Sequence, residues 1–449
     1  MPYTQITLSD LETALFQRVG DGVFYSDVGA YPEIKLYINE ALRVWNSLAN
    51  FWRDRVIFQT AAGQAFYKIT AASTITNPAN LLVPTLTDSD LVAEIMYHLL
   101  ESQPLQPDPI DTTTWRGTDM FTLPWVLGAL TRRRDQFLHE TAITLNSTLV
   151  SGVISSEGRM NLPETTLDVR RIAWKALDGT HSHLWRMDEW EAQAQLPTWA
   201  YNPESAPTGF SLILTPPVRI QLVPPPALGG QLDMLASNSG IPLTGGVLLG
   251  IPDDWAWAIK WGAMADLLSN EGQGKDPDRA QYCEERFQQA LAVARHDPDI
   301  LSGQVNGQQV TLMSLQDLDS GNPAWQDGTG HPVSIAVERD IVALSPVPDG
   351  VYSVTLDILR PAPIPVNGTD IVQFGPEILD TIIAYAQHIA AFKEGGAEFT
   401  STKLQFNDLL RLAADYNSKL SALAVFRDVL EDRSTREEDR TPRRLQEVT

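Results

Sequence analysis

Leu232-Asp233-Met234-Leu235 and Leu356-Asp357-Ile358-Leu359 stand 124 positions apart. The same offset carries Pro252-Asp253 onto Pro376-Glu377, Glu271-Gly272 onto Gly395-Gly396, and Pro224 onto Pro348. Each copy reads as a Pro-rich strand, a loop of equal length, and a helix that opens on proline plus an acid and closes near glycine. These end residues each meet a physical need. Proline lacks only an amide that a first turn leaves unbonded, an acid suits the positive helix start, and glycine suits the C-terminal cap. The pattern predicts a duplicated strand–loop–helix module. Its period exceeds that of short solenoid repeats, so it marks a repeated subdomain. Copying a packing module is characteristic of building blocks; an active site rarely needs it.

Upstream of the first copy, Ser9-Asp10-Leu11-Glu12 reads as a capping box with Leu8 as a staple. From Pro32-Glu33 onward, Ile34, Ile38, Ala41, Trp45, Leu48 and Trp52 recur at helical spacing, with Lys35, Asn39 and Arg43 off that stripe. Val56–Thr60 and Ala65–Ile69 flank Ala61-Ala62-Gly63-Gln64 and predict a hairpin. Thr87-Asp88-Ser89-Asp90 starts a short helix through Leu91, Ile95 and Leu99. After a loop rich in proline and aspartate (103–111), a longer helix begins near Thr122-Leu123-Pro124 and turns Val126, Leu130, Phe137 and Thr141 inward. Its Arg132-Arg133-Arg134 triplet is expected mostly on the outer face.

Residues 149–250 read as β-rich, with strands over 167–174, 210–214 and 218–222 and a turn at Asp178-Gly179. Trp174, Trp185, Trp190 and Trp199 are expected to anchor a small sandwich. Helices follow over 255–268 and 278–295. The expected class is α+β: a helical bundle with an inserted β-sandwich-like subdomain, followed by a second strand–loop–helix module. The linear division is 1–148, an N-terminal helical region with a β-hairpin; 149–250, the β-rich subdomain; 251–303, bundle-closing helices; 304–426, the second module copy; and 427–449, a charged C-terminal arm. In that arm Arg433, Arg436, Arg440, Arg443 and Arg444 alternate with acids and large apolar residues are nearly absent, so it is either a dangling tail or an arm that orders on a partner.

The 449 residues suffice for two or three domains with proper cores, and 43% hydrophobic and 20% charged residues describe a folded protein. A net charge of −23 disfavours gripping DNA over a broad surface. The single cysteine, Cys283, permits no intrachain disulfide and reads as an apolar filler within a helix. The N-terminus lacks the regions of a signal peptide, and no apolar run approaches the roughly 20 residues that span a bilayer. A reducing cytoplasm, or a particle assembled there, is the expected setting, without a membrane.

No catalytic motif survives inspection. His139-Glu140 lacks the second histidine of a zincin helix, and Gly272-Gln273-Gly274-Lys275-Asp276 lacks the first glycine, hydroxyl and preceding strand of a phosphate loop. It reads as a helix end and turn. His181 and His183 share one face of a strand, with Asp188 or Glu189 as a candidate third metal ligand, but they sit beside the Asp178-Gly179 turn, where exposed polar residues are the expected reading. Asp317, Asp319 and Asp327 fail the calcium-loop spacing. His98 and His388 lie in helical patterns as structural residues. The expectation is therefore no enzyme, no cofactor and no metal. Arg132, Arg133 and Arg134 read either as a solvated face with local ion pairs or as contacts to an acidic neighbouring subunit.

The order of signals resembles the head-to-tail adaptor (connector) proteins of tailed phages. Leu11-Glu12 through Asn39-Glu40-Ala41-Leu42-Arg43-Val44-Trp45-Asn46 is similar to their opening, and Ala62-Gly63-Gln64-Ala65-Phe66-Tyr67 to their first hairpin. Leu162-Pro163, Val169-Arg170-Arg171-Ile172 and Leu222-Val223-Pro224-Pro225-Pro226 resemble their central β region. Ile251-Pro252-Asp253-Asp254-Trp255 with Lys260-Trp261-Gly262-Ala263 resembles their bundle-closing helix. The resemblance covers about residues 5–295 and rests on packing patterns. It implies a homo-oligomeric ring, commonly a dodecamer, docked under the portal protein at the head–tail interface of the virion. Such a ring continues the DNA channel to the tail, passes genomic DNA without sequence-specific binding, and is assembled in the host cytoplasm. It also implies a C-terminal arm that engages the portal. The extra module after Gln304 departs from the pattern. It leaves open a collar, neck or fibre-attachment role that recruits receptor-binding parts.

Overall fold

The computed structural model describes residues 6–20, 32–49, 52–69, 84–100, 120–151, 158–195, 197–198, 206–213, 218–226, 230–272, 274–296, 300–360 and 362–430. It opens with α1 (Leu8–Val19), α2 (Glu33–Ala49), β1 (Trp52–Gln59) and β2 (Phe66–Lys68). Next come α3 (Asp88–Leu99), α4 (Leu123–Thr141), β3 (Asn146–Ser151), β4 (Arg159–Asn161), β5 (Thr166–Lys175), β6 (His181–Arg186) and α5 (Glu189–Gln195). Then follow β7 (Gly209–Ile213), β8 (Arg219–Val223), β9 (Gln231–Asn238), α6 (Ala256–Ser269) and α7 (Pro277–Ala294). Short strands and a helix come after these: β10 (Ile300–Val305), β11 (Gln308–Gln309), β12 (Thr311–Ser314), α8 (Leu315–Gly321), β13 (Thr329–Gly330), β14 (Ser334–Glu338), β15 (Ile341–Ser345), β16 (Val347–Pro348) and β17 (Ser353–Arg360). The chain closes with α9 (Pro376–Glu394), α10 (Gly396–Thr402) and α11 (Leu404–Tyr416). The class is α+β, as read from the sequence.

The expected hairpin does not form. β1 pairs antiparallel with β17, setting Val56 opposite Leu356, while β2 pairs with β15, setting Tyr67 opposite Val342. The two strands therefore sit in different sheets, ordered β1-β17-β10-β11 and β12-β14-β15-β2. One apolar core joins them: Val56, Phe58, Tyr67, Val342, Leu344 and Leu356 are all buried together. Residues 60–65 make a corner between sheets, and the Tyr67 hydroxyl fixes it by accepting from the Ala61 amide at 3.0 Å and donating to the Gln64 carbonyl at 3.0 Å. Alternating apolar residues meet the same burial need in either arrangement, which is why local sequence did not separate them.

Two sets of elements share one order. In the inner set, α3 and α4 lead to β3, which pairs antiparallel with β9; a loop then runs to α6 and α7. In the outer set, α1 and α2 lead to β1, which pairs antiparallel with β17; a loop then runs to α9, α10 and α11. The match extends to single hydrogen bonds. Thr7 and Thr87 are the N-caps of α1 and α3, and their amides donate to Asp10 and Asp90 at 2.9 and 2.8 Å. Each N-cap forms an antiparallel bridge to the loop after its set's last strand, Thr7 to Ile371 and Thr87 to Leu248. The amides of Leu8 and Asp88 donate to the carbonyls of Asp370 and Val247, and those of Val372 and Leu249 to Ile6 and Leu86. The capping box on α1 thus lies two residues before its expected place, because the threonine there also serves this bridge.

The duplication is consequently wider than one strand and one helix, and the inner set is spliced between β2 and β10 of the outer. Strand pairing crosses the linear division at 148/149 and 303/304. A single helical core spans both sets, with Leu11, Trp45, Ile95, Leu130, Trp261, Phe287, Ile382 and Leu409 among its buried members. In the inner β region, seven strands run β3-β9-β5-β6-β7-β8-β4; the junction of β6 with β7 is parallel and two residue pairs long. This sheet curls over its own core of Val169, Trp174, Phe210, Leu222 and Met234.

Trp174 anchors that core at 6% exposure, but Trp185 is 44% exposed and Trp190 83%. The expectation of clustered core tryptophans fails for these two: Trp185 lies on an outward strand position and Trp190 on the surface helix α5. Trp199 lies outside the described residues. The stripe on α2 is buried as read from Ile34 to Leu48, while Trp52 belongs to β1. The opposite face is covered as well, since Glu33, Asn39, Glu40 and Asn46 are buried. α2 is a central helix between the two sets.

Candidate partner-contact surfaces

The arginine triplet does not form an outer face. On α4 the Arg134 side chain is fully buried, donating from Nη1 to the Ile241 carbonyl at 2.6 Å and from Nε to Asp135 at 3.0 Å. Gly240 makes room for it; a Cβ there would lie 2.4 Å from the guanidinium carbon. Arg133, 14% exposed, bonds Asp266 at 2.6 Å and Glu284 at 2.8 Å and lies over the Phe287 ring. Arg132 alone is open, 61% exposed with one contact to Asp266 at 3.0 Å. Three consecutive helical residues point 100° apart, so one triplet reaches core, groove and solvent together. Arg133 and Arg134 are engaged within the chain, and the solvated face read from the sequence holds for Arg132 alone.

His181 and His183 do share one face of β6, turned toward the segment 315–327 of the outer set. His181 Nδ1 lies 2.8 Å from Asp327 and His183 Nδ1 3.3 Å from Asp319. Each imidazole has its own carboxylate, and Asp319 is already committed. It accepts two bonds at 2.8 Å from buried Arg171 and one at 2.8 Å from the Trp325 indole. Asp317 accepts from the Ser314 hydroxyl at 2.7 Å, in the N-cap of α8. No group of three metal-ligating side chains converges among the described residues. The cluster joins the two sets: Arg171 of the inner sheet lies over the rings of Phe66 and Trp325 of the outer.

A second junction, unread from the sequence, lies within the helices. Lys260 of α6 is fully buried and paired with Glu40 of α2, with Glu94 at 3.3 Å and His98 Nε2 at 3.3 Å on α3. The Trp261 indole donates to Glu40 at 2.7 Å. Burial pushes the Glu40 carboxyl up while Lys260 pulls it down, and burial, then the Lys260 charge, holds His98 well below the usual imidazole range. Lys393 of α9 pairs with Glu33 of α2 at 2.9 Å. The signal in the sequence was Lys260 itself, set among tryptophans and alanines in a helix with no polar face.

His388 sits between the hydroxyls of Tyr282 and Thr402 at 2.7 and 2.8 Å, and Cys283 is buried on α7, both structural as expected. Of the stretch 272–276, the described residues lie between α6 and α7, with Asp276 as the N-cap of α7. Arg433, Arg436, Arg440, Arg443 and Arg444 lie outside the described residues. Among the described residues no helix is long and apolar enough to cross a membrane.

The charged clusters are thus consumed in joining the two copied units. Residues 89–302 match the model of the SU10 adaptor protein family, a family of phage head-to-tail adaptors. That segment begins on α3 and nearly coincides with the inner set. The resemblance is borne out, although residues 11–46, read as the family's opening, fall outside the match and belong to the outer set's counterpart. No curated protein matches the chain.

Proposed function

We propose that this protein is a structural head-to-tail adaptor that assembles into a homo-oligomeric ring beneath the portal and continues the DNA channel to the tail. The observation that carries this reading is the coincidence of the adaptor family match with one complete structural unit, residues 89–302. The acidic balance supports it further. A net charge of −23 repels a passing duplex and keeps it from sticking. Trp190, 83% exposed on α5, supplies the rigid aromatic anchor typical of subunit contacts. Arg132 and the arginines of the arm, Arg433, Arg436, Arg440, Arg443 and Arg444, meet acidic neighbours such as the portal. The outer set favours a second role for the same protein, because it lies outside the family match and adds a surface for neck or fibre proteins.

Electron microscopy of the purified protein, alone and with portal, tests the reading. A closed ring with an axial channel, docked on the portal, is expected. A protein that stays monomeric and is absent from virions overturns it. Removing residues 431–449, which leaves the packed residues 427–430 in place, is expected to abolish portal docking while sparing the fold.

A further inference from the structure

The wall between α7 and α10–α11 opens into a cleft of about 590 Å³, lined by Asp278, Tyr282, Glu285, Arg286, Lys403 and Asn407 among others. At its base stands Arg286, only 6% exposed and stacked over the rings of Phe406 at 3.4 Å and Tyr282 at 4.8 Å. Its Nε and Nη1 have no hydrogen-bond partner, and among the described residues no carboxylate pairs with it. Those two nitrogens are shut off from solvent, and the charge, with no such carboxylate beside it, is left for an anion in the cleft to balance. Exposed Lys403 adds a second cation to the lining, Arg279 is held by Asp276 at 2.6 Å, and Asp278, Glu285 and Glu394 supply the acidic side. Burial, then the charges of Arg286 and Lys403, depress His388 to about 3, so this positive field reaches the core behind the cleft.

We propose that this cleft is a peptide site that takes the acidic run Glu437-Glu438-Asp439 of the chain's own C-terminal arm. Charge order is the first argument. The run is flanked by Arg436 and Arg440, so acids meet the cationic base while arginines meet the acidic side. A phosphate group or nucleic acid would face that side with nothing to offset it. Position is the second argument. The helices that wall the cleft also hold the last described residues: buried Phe426 packs beside α7, and Arg411 of α11 donates to the Val429 carbonyl at 3.3 Å. Arg411 lies two turns from Lys403, about 12 Å along the helix. Seven residues beyond Leu430 span up to about 24 Å, enough to bring Glu437 to the cleft. The proposal concerns the chain before it meets a portal and does not rest on the adaptor reading.

A fluorophore at Ser434→Cys in the full-length chain tests it, because Cys283 is buried and takes no label. High anisotropy at the label is expected. It falls to the value of a free peptide-borne dye in Lys403→Glu and in the Glu437→Gln/Glu438→Gln/Asp439→Asn variant, and stays high in a Glu431→Gln/Asp432→Asn control. All these changes lie on exposed lysine or within the arm, so circular dichroism should be unchanged. Anisotropy that is low from the start, or that survives both Lys403→Glu and the triple variant, overturns the proposal, as does an equal fall in the control.

Discussion

Asp254 shows how a single carboxyl records the closeness of the two sets. It sits on the turn leading into α6, where it accepts a hydrogen bond at 3.1 Å from Asn46 of α2. Asn46 is engaged on its other side by the Ala362 amide and carbonyl. Burial pushes the Asp254 pKa up to about 7, and the Asn46 bond and Arg43 only partly offset it. A carboxyl with a raised folded pKa binds more protons folded than unfolded between about pH 4 and pH 7, so stability falls as pH rises through that window. Asp254→Asn keeps the acceptor oxygen and removes the charge. It should raise stability at pH 8 by roughly 1–3 kcal/mol, at about 1.4 kcal/mol per pKa unit, and flatten the decline from pH 4 to 7. Urea unfolding at pH 5 and 8 checks both; equal gains at the two pH values would contradict the assignment.

At the scale of elements, the capping threonines make a matched pair. Thr7→Ala and Thr87→Ala each remove an N-cap and the side-chain bond to Asp10 or Asp90, and each should cost about 1 kcal/mol. The caps belong to different sets, so the double variant should show the sum in thermal unfolding. Helices were legible where apolar spacing dictated them: Ile34 to Leu48 on α2, and Val126 to Thr141 on α4, are buried as read. Strand partners were not legible, because β1 alternates correctly for any partner and finds its own 300 residues later, Val56 against Leu356. The duplicated tetrads at 232 and 356 were read correctly as strands, β9 and β17, but their partners β3 and β1 share no such identity. Buried charges escaped for the same reason. Nothing near Glu40 in sequence announces Lys260, and nothing beside Arg134 announces the Ile241 carbonyl.

For the whole molecule, Lys260 is the pin between the two sets. Lys260→Met would leave Glu40 buried without its cation and Glu94 with only Arg43 at 3.9 Å, a loss expected at about 3–5 kcal/mol. Adding Glu40→Leu and Glu94→Leu should recover most of it, since apolar replacements of a full buried charge cluster are often tolerated. Denaturant unfolding of the single and triple variants decides the matter; a triple variant no better than the single would assign the loss to packing.

Strand β1 leaves the ribosome long before β17 is made. At about 5–20 residues per second, its ladder stays open for roughly 15–60 s, while the spliced unit that interrupts it is already complete. The nascent chain therefore carries a finished subunit on an unfinished host, with an apolar strand edge waiting for its mate. That order of birth leaves the unpaired edge of β1 exposed to wrong pairing until the last strand arrives.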